Sequence, residues 1–119
     1  MIAIVPADEM TRASLLRRKG APPQTACLLA QTQGEIIGHI LFAKEGESIC
    51  LLDVEPGEGA LADGMVRAAL NAGREEGAVV AVCRMESLYP LLEGMGFVKS
   101  DNCRRVLIRE FFNHRSCCP

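Results

Sequence analysis

The spacing of apolar and polar residues along the chain predicts an alternation of strands and helices. Short apolar runs bounded by turn residues predict β-strands over residues 2–5, 25–32, 35–43, 48–54, 78–83 and 104–112. Between these runs, apolar residues recur at intervals of three and four, which predicts helices over residues 9–19, 61–76 and 86–93. The length and the order of these elements predict a single α/β domain over residues 1–119.

Capping and turn residues predict how the first elements connect. Asp8 is a suitable N-cap for the first helix, and Gly20 is a suitable C-terminal stop. Gln33-Gly34 lies between two strands and is a typical β-hairpin signal. The strand over 35–43 has apolar residues on both faces, which predicts an interior position in the sheet.

In the middle of the chain, two predicted strands are connected by a helix rather than by a hairpin turn. A strand over 48–54 is followed by the long helix over 61–76 and then by a strand over 78–83. A helix that connects two strands of one sheet makes a crossover, so these two strands should run parallel. The sequence therefore predicts a mixed, mostly antiparallel sheet with one parallel pair and flanking helices.

Composition and charge exclude several classes of function. Hydrophobic residues make up 49% of the chain and charged residues 24%, as in ordinary globular domains. The net charge of −2 and the shortage of aromatic residues argue against nucleic-acid binding. No apolar run approaches the ~20 residues that cross a membrane, and the N-terminus lacks the features of a signal peptide. We therefore expect a cytoplasmic protein that binds neither nucleic acid nor membranes.

The six cysteines do not have the spacing of a metal site. No pair has CxxC spacing and only two histidines are present, so no metal is predicted. Cys83, at the end of an apolar strand, is typical of a buried structural thiol. The alternative is a thiol-dependent protein that uses Cys83 or the Cys117-Cys118 pair.

Four segments occur in the order and spacing found in a known superfamily. They are the hairpin LLAQTQGEIIGHILF, the strand ICLLDVEP, the helix end GREEGA and the motif GMGF. Over roughly residues 25–112 the chain resembles the GNAT acyltransferase superfamily. The resemblance implies that the parallel strands splay apart at their C-terminal ends, that acetyl-CoA is the cosubstrate, and that a small-molecule or peptide amine is the acceptor.

The resemblance also implies where acetyl-CoA would bind. The family holds the pyrophosphate at a turn Gln/Arg-x-x-Gly-x-Gly/Ala, which here falls on Gly57, Glu58, Gly59, Ala60, Leu61 and Ala62. Ala62 fits this pattern, but Ala60 replaces a glycine and Gly57 replaces the Gln or Arg. The backbone of the preceding strand, from Leu52 through Asp53 to Val54, would bind the pantetheine arm. The alternative is that the turn merely caps the helix.

The catalytic candidates lie on the last predicted helix and on two strands. The family commonly uses a tyrosine as the acid that protonates the leaving thiolate, and Leu92 occupies that position here. Tyr89, one helical turn earlier, is the candidate acid. Asp53 is the first candidate for the base, because a carboxylate in an apolar strand is costly unless it lines a cleft. Glu55 and His39 are the other candidates.

Two interpretations of the resemblance stay open. The first is an N-acetyltransferase that acts on an amine which the sequence does not identify. The second is a catalytically degraded protein of this fold that binds acyl-CoA or a protein partner without turnover. Only residues 7–24 are available to build the acceptor side, so a homodimer that completes it is a further expectation.

Overall fold

The structure is a computed structural model that describes the backbone of residues 1–116 and the side chains of residues 1–113. Its strands are β1 Ile2–Pro6, β2 Ala26–Thr32, β3 Glu35–Glu45, β4 Ser48–Glu55, β5 Val80–Cys83, β6 Val98–Ser100 and β7 Cys103–Leu107. Its α-helices are α1 Glu9–Lys19, α2 Gly59–Glu75, α3 Tyr89–Gly94 and α4 Ile108–Ser116. Over the described residues, no helix is long and apolar enough to cross a membrane.

The strands form one mixed sheet in the order β1-β2-β3-β4-β5-β7-β6. Of these neighbours only β4 and β5 run parallel, and the other five pairs are antiparallel, which confirms the predicted fold class. The parallel pairing extends from Ser48 opposite Val80 to Leu51 opposite Cys83. Beyond Leu51, β4 continues to Glu55 without a partner in β5. The C-terminal end of β4 is therefore open on the side where β5 would lie.

Helices cover the sheet on both faces. On one face α2 packs against the larger core, together with α3 and α4, and its buried residues include Met65, Val66, Ala69 and Leu70. On the other face α1 places Leu15 and Leu16 over a smaller cluster formed with Cys27, Leu29 and Leu41. The sheet thus separates an α2 side from an α1 side.

The predicted ends of α1 are confirmed. The carboxylate of Asp8 accepts a hydrogen bond from the backbone N–H of Thr11 at 2.8 Å, as an N-cap does. Gly20 ends the helix in the left-handed region at φ 68°, which glycine adopts without steric cost. This end of α1 is important for the site, because Lys19 is its last residue.

The last third of the chain differs from the prediction. The strand predicted over 104–112 ends at Leu107, and α4 begins at Ile108. Ile108 and Phe111 are both buried, and their spacing of three residues suits a helix that packs on the core. The prediction missed β6, a strand of only three residues.

β6 pairs with β7, so the strand predicted to be last does not form an edge of the described sheet. The described sheet ends at β6 and β1, while β7 lies between β5 and β6.

The helix predicted over 86–93 is a 3-10 turn over Glu86–Leu88 followed by α3, with Pro90 in the first turn of α3. The long helix α2 begins at Gly59, two residues earlier than predicted.

Candidate functional site

A β-bulge in β4 determines which side of the sheet Asp53 faces. Leu41 of β3 pairs with Asp53 and Phe42 pairs with Leu51, so Leu52 has no residue opposite it. Side chains alternate between the faces of a regular strand, so if β4 ran through Leu52 without a bulge, Asp53 would share the α2 side with Leu51. The bulge instead places Asp53 on the α1 side, where its carboxylate meets His39.

Four ionisable side chains meet there, and we call Lys19, His39, Asp53 and Glu55 the carboxylate cluster. Nε2 of His39 lies 2.7 Å from Oδ2 of Asp53 and 4.0 Å from Oε2 of Glu55. Nζ of Lys19 lies 2.7 Å from Oε1 of Glu55 and 3.5 Å from Oδ2 of Asp53. The end of α1 therefore supplies a cation to two carboxylates on β4.

The members of the cluster differ in exposure. His39 is buried, and the side chain of Asp53 is 14% exposed, whereas that of Glu55 is 52% exposed. The hydrogen bond from Lys19 lowers the pKa of Glu55, and the bond to Glu55, with a smaller contribution from Asp53, raises the pKa of Lys19. Both groups are therefore charged at neutral pH.

The arrangement suits the acceptance of a proton or of a cation. A carboxylate that is hydrogen-bonded to a buried imidazole can pass or hold a proton, and both groups are common catalytic bases. Ligand atoms of His39, Asp53 and Glu55 also lie within 4.8 Å of one another, close enough to share a metal ion. The ammonium of Lys19 already lies against both carboxylates and supplies the positive charge there.

The turn predicted to bind pyrophosphate lies on the α2 side, at the start of α2. Glu58 is the N-cap residue, with extended backbone, but its side chain makes no capping hydrogen bond. The first N–H groups of α2 therefore have no side-chain acceptor. Gly59 and Ala60 line a groove of about 410 Å³ that α3 closes with Leu91, Gly94 and Met95.

The side chains of this turn contain no positive charge. Glu58, Gly59 and Ala60 are exposed, whereas Ala62 is fully buried in the core. Asp63 also lines the groove, and its carboxylate pairs with Arg67 one turn further along α2. An anion in the groove would therefore be bound by backbone N–H groups and the helix dipole rather than by a basic side chain.

The structure does not bring Tyr89 to the carboxylate cluster. Its hydroxyl donates to the carbonyl of Asn102 at 3.1 Å, and the guanidinium carbon of Arg104 lies 4.0 Å from the ring centroid. Tyr89 lines an open cavity of about 800 Å³ beside α3. Leu92, at the position where the family has its tyrosine, is fully buried.

The three buried cysteines, Cys27, Cys50 and Cys83, do not have the surroundings of reactive thiols. Burial raises the pKa of Cys27 to about 11 and also raises the pKa of Cys83 and Cys50. Arg84, which follows Cys83 in the chain, donates to Sγ of Cys50 at 3.6 Å. Cys117-Cys118 lies outside the described residues.

Lys19 is the member of the cluster that was not identified from sequence. Together with Arg17 and Arg18 it makes the last turn of α1 basic, which suits the C-terminal dipole of a helix and by itself indicates no site. It meets Glu55 across 36 residues of chain, and no local motif signals such a contact. The only signal for this contact is a general one. A basic residue ends a helix, and that helix packs beside a strand that ends in carboxylates.

No family model and no curated protein matches the sequence. Solved structures do match the fold. The ribosomal-protein-S18-alanine N-acetyltransferase from Escherichia coli superposes with a TM-score of 0.69 at 9% identity, covering 91% of this chain and 94% of its own. A GNAT family N-acetyltransferase from the same organism in complex with CoA gives 0.67 at 15% identity, covering 94% and 84%.

A GNAT family acetyltransferase from Brucella melitensis in complex with acetyl-CoA also matches. Its TM-score is 0.66 at 19% identity, and the match covers 90% of this chain and 88% of its own. These likenesses agree with the strand order and with the single parallel pair. The chain therefore has the GNAT fold.

Proposed function

We propose that the protein transfers an acetyl group from acetyl-CoA to a primary amine, with Asp53 as the base. The observation that supports this most directly is the 2.7 Å contact between His39 and Asp53 at the open end of β4. In this fold, that end of β4 lies where the parallel strands cease to pair. A base at the mouth of such a cleft is suitably placed to deprotonate an acceptor.

Acetyl-CoA would bind along the two edges of the cleft. The unpaired stretch of β4 from Leu52 to Val54 offers backbone groups to the pantetheine arm, because no β5 residue lies opposite it. The uncapped N-terminus of α2 offers N–H groups to the diphosphate. Since Glu58 is the nearest side chain and is acidic, we expect weak binding.

Acyl transfer then needs three proton movements. The acceptor ammonium loses a proton to the carboxylate of Asp53, which His39 stabilises, and the free amine attacks the thioester carbonyl carbon. The bond between that carbon and sulfur breaks, Tyr89 supplies the proton to the thiolate, and the second proton that the nitrogen loses as the amide forms restores the tyrosine. To protonate the thiolate, the hydroxyl of Tyr89 would exchange the carbonyl of Asn102 for the sulfur.

Two measurements test this proposal. The first is the melting temperature with and without CoA and acetyl-CoA, because a ligand that binds only the folded chain must raise it. The second is the release of free thiol from acetyl-CoA in the presence of simple primary amines. No shift with either compound would rule out the cofactor, and a shift without thiol release would rule out turnover on those amines.

The second candidate function is binding of acyl-CoA without catalysis. It is supported by the position of the Tyr89 hydroxyl, which is held by the carbonyl of Asn102, and by the absence of a basic side chain from the turn over 57–62. Binding of acetyl-CoA without thiol release across a panel of amines and peptides would favour it. In that case the contact between Asp53 and His39 would stabilise the fold and take no part in catalysis.

A further inference from the structure

The side chain of Lys19 carries a primary amine to the proposed base. Lys19 is the last residue of α1, and Gly20 turns the chain away immediately after it. Its Nζ lies 3.5 Å from Oδ2 of Asp53, the same oxygen that contacts His39 at 2.7 Å. The side chain is 29% exposed, so it is partly accessible from outside the protein.

We infer that Lys19 is itself an acyl acceptor, so that the protein acetylates its own Lys19. The inference rests on the proposed function, since it uses the same cosubstrate and the same base. An external amine acceptor would need an ammonium beside Asp53, and Lys19 places one there within the chain.

The reaction balances without a further reactant. The Lys19 ammonium gives one proton to Asp53, and its nitrogen lone pair attacks the thioester carbonyl carbon. The carbon–sulfur bond breaks and a carbon–nitrogen bond forms. The second nitrogen proton leaves as the amide forms, and the departing thiolate takes up one proton to give CoA. The products are Nζ-acetyl-Lys19, free CoA and one proton released to solvent.

The modification would change the charge of the carboxylate cluster. An acetylated lysine is neutral and cannot pair with Glu55 or Asp53. Among the described residues, Lys19 is the only lysine or arginine that forms an ion pair with either carboxylate. Acetylation would therefore leave both carboxylates without their cation and open to an external ammonium.

The chain provides its own controls, because it has only three lysines, Lys19, Lys44 and Lys99. Uncatalysed acetylation needs the free amine, and the ion pair with Glu55 raises the pKa of Lys19. Chemical reactivity alone therefore disfavours Lys19. Preferential acetylation of Lys19 would have to come from the site, and not from the intrinsic reactivity of the amine.

The experiment uses the full chain, acetyl-CoA and peptide mass spectrometry over a time course. We expect Lys19 to be acetylated before Lys44 and Lys99, and acetyl phosphate, which lacks the CoA moiety, to show no preference for Lys19. Asp53→Asn should lower the rate at Lys19 on the order of 10²-fold and leave Lys99 unchanged. This decrease is diagnostic, because removal of a carboxylate makes the Lys19 amine easier to deprotonate in solution.

Several results would overturn the inference. They are acetylation of Lys19 no faster than that of Lys99, an equal preference for Lys19 with acetyl phosphate, or an unchanged rate at Lys19 in folded Asp53→Asn. If Asp53→Asn does not fold, the wild-type chain supplies a second measurement: free CoA, which competes with acetyl-CoA for the same site, should slow the acetylation of Lys19 and leave that of Lys99 unchanged. Acetylation of Lys19 that is insensitive to CoA would count against the inference.

The outcome also separates this inference from the proposed function. Binding of acetyl-CoA, or thiol release with an external amine, with Lys19 unmodified would reject self-acetylation alone. Absence of acetyl-CoA binding would reject both.

Discussion

His39 and Asp53 are diagonal neighbours on adjacent strands, and their side chains meet at 2.7 Å on the α1 side of the sheet. Leu41 lies opposite Asp53 and Glu55 lies opposite His39, so the two residues are offset by two positions, with the pair of Ile40 and Val54 between them. A carboxylate with 14% exposure next to a buried imidazole is costly unless the two groups bond each other. The contact thus accounts for the burial of both polar groups.

The charge of Asp53 should be needed for turnover but not for folding. Asp53→Asn keeps the size of the side chain and removes its ability to take a proton. We expect thiol release to fall by a factor of ~10² to 10⁴ with an unchanged circular dichroism spectrum. Glu47→Gln, in the exposed turn before β4, is the control. Full turnover in Asp53→Asn would move the base to another residue.

The pair of Lys19 and Glu55 should make stability depend on pH. The hydrogen bond from Lys19 lowers the pKa of Glu55 in the folded chain. The resulting stabilisation is therefore present above the ordinary pKa of about 4.3 and is lost as the pH falls through the folded value. The free energy of unfolding in urea should drop less from about pH 6 to about pH 3 in Glu55→Gln than in the wild type.

The pair of Lys19 and Glu55 should also make stability depend on pH at high pH, where the stabilisation is lost as the pH rises. Because the pKa of Lys19 is raised, its contribution is present below the ordinary pKa of about 10.4 and is lost as the pH rises through the folded value. Glu76→Gln, an exposed carboxylate after α2, is the control for a general charge effect. An equal acid sensitivity of the wild type and Glu55→Gln would contradict the assignment.

Glu58 should weaken binding of CoA at the start of α2. Glu58→Gln removes a negative charge beside the uncapped N–H groups, so the Kd for CoA should decrease and depend less on salt. A repelling charge near the diphosphate costs on the order of 1 kcal/mol, which corresponds to a several-fold change in Kd. Glu75→Gln, at the other end of α2, should have no such effect. A Kd for CoA that Glu58→Gln leaves unchanged would place the ligand elsewhere.

Tyr89 should affect turnover more than any described cysteine does. Tyr89→Phe keeps the ring beneath Arg104 and removes the hydroxyl that donates to Asn102, so stability should change by about 0.5–1.5 kcal/mol. If Tyr89 protonates the thiolate, thiol release should fall by a factor of ~10² or more. Unchanged release in Tyr89→Phe would mean that the thiolate leaves without this acid.

Cys83→Ser is the matched comparison for that experiment. Cys83 is fully buried, and a buried hydroxyl needs a hydrogen-bond partner that a thiol does not need. We expect a loss of stability with turnover per folded molecule unchanged, measured by urea unfolding and thiol release. Turnover abolished in folded Cys83→Ser alone would assign the chemistry to a thiol.

Gly38 should be required by close packing. A Cβ atom on Gly38 would lie 2.8 Å from the backbone oxygen of Glu55 and 3.2 Å from Cε of Met65. Gly38→Ala should therefore destabilise the fold by about 1–3 kcal/mol, measured by thermal unfolding. Gly94→Ala in α3 is the control, because nothing lies within 4 Å of its Cβ position. Equal stability of the two variants would contradict the packing argument.

Local signals in the sequence predict most of the elements because each signal acts over a few residues. The cap at Asp8, the stop at Gly20 and the hairpin at Gln33-Gly34 specify the N-terminal half, and the crossover specifies the parallel pair. The end of β7 was missed because a short segment of mixed apolar and charged residues, such as that over 104–112, suits a strand or a helix. There, burial of Ile108 and Phe111 against the core favours the helix.

The site is harder to predict because it depends on register and on distant contacts. The sequence identifies three separate candidates for the base, Asp53, Glu55 and His39. Whether their side chains meet depends on the pairing of β3 with β4. Lys19 joins them only through the packing of α1 on the sheet. Neither the register nor the docking of a helix follows from the identity of neighbouring residues.

The unpaired Leu52 acts as a phase shift within β4. Before Leu52, the odd-numbered residues Ile49 and Leu51 face the α2 core. After it, the even-numbered residue Val54 faces the same core. If Leu52 were instead paired as an ordinary residue of an unbulged strand, a single phase would run through β4, Asp53 would turn towards the α2 core and Val54 would turn towards His39. Every side chain of the carboxylate cluster would still be present in the chain, but the cluster itself would be lost. The site is therefore encoded by the register between two strands as much as by the chemistry of their residues.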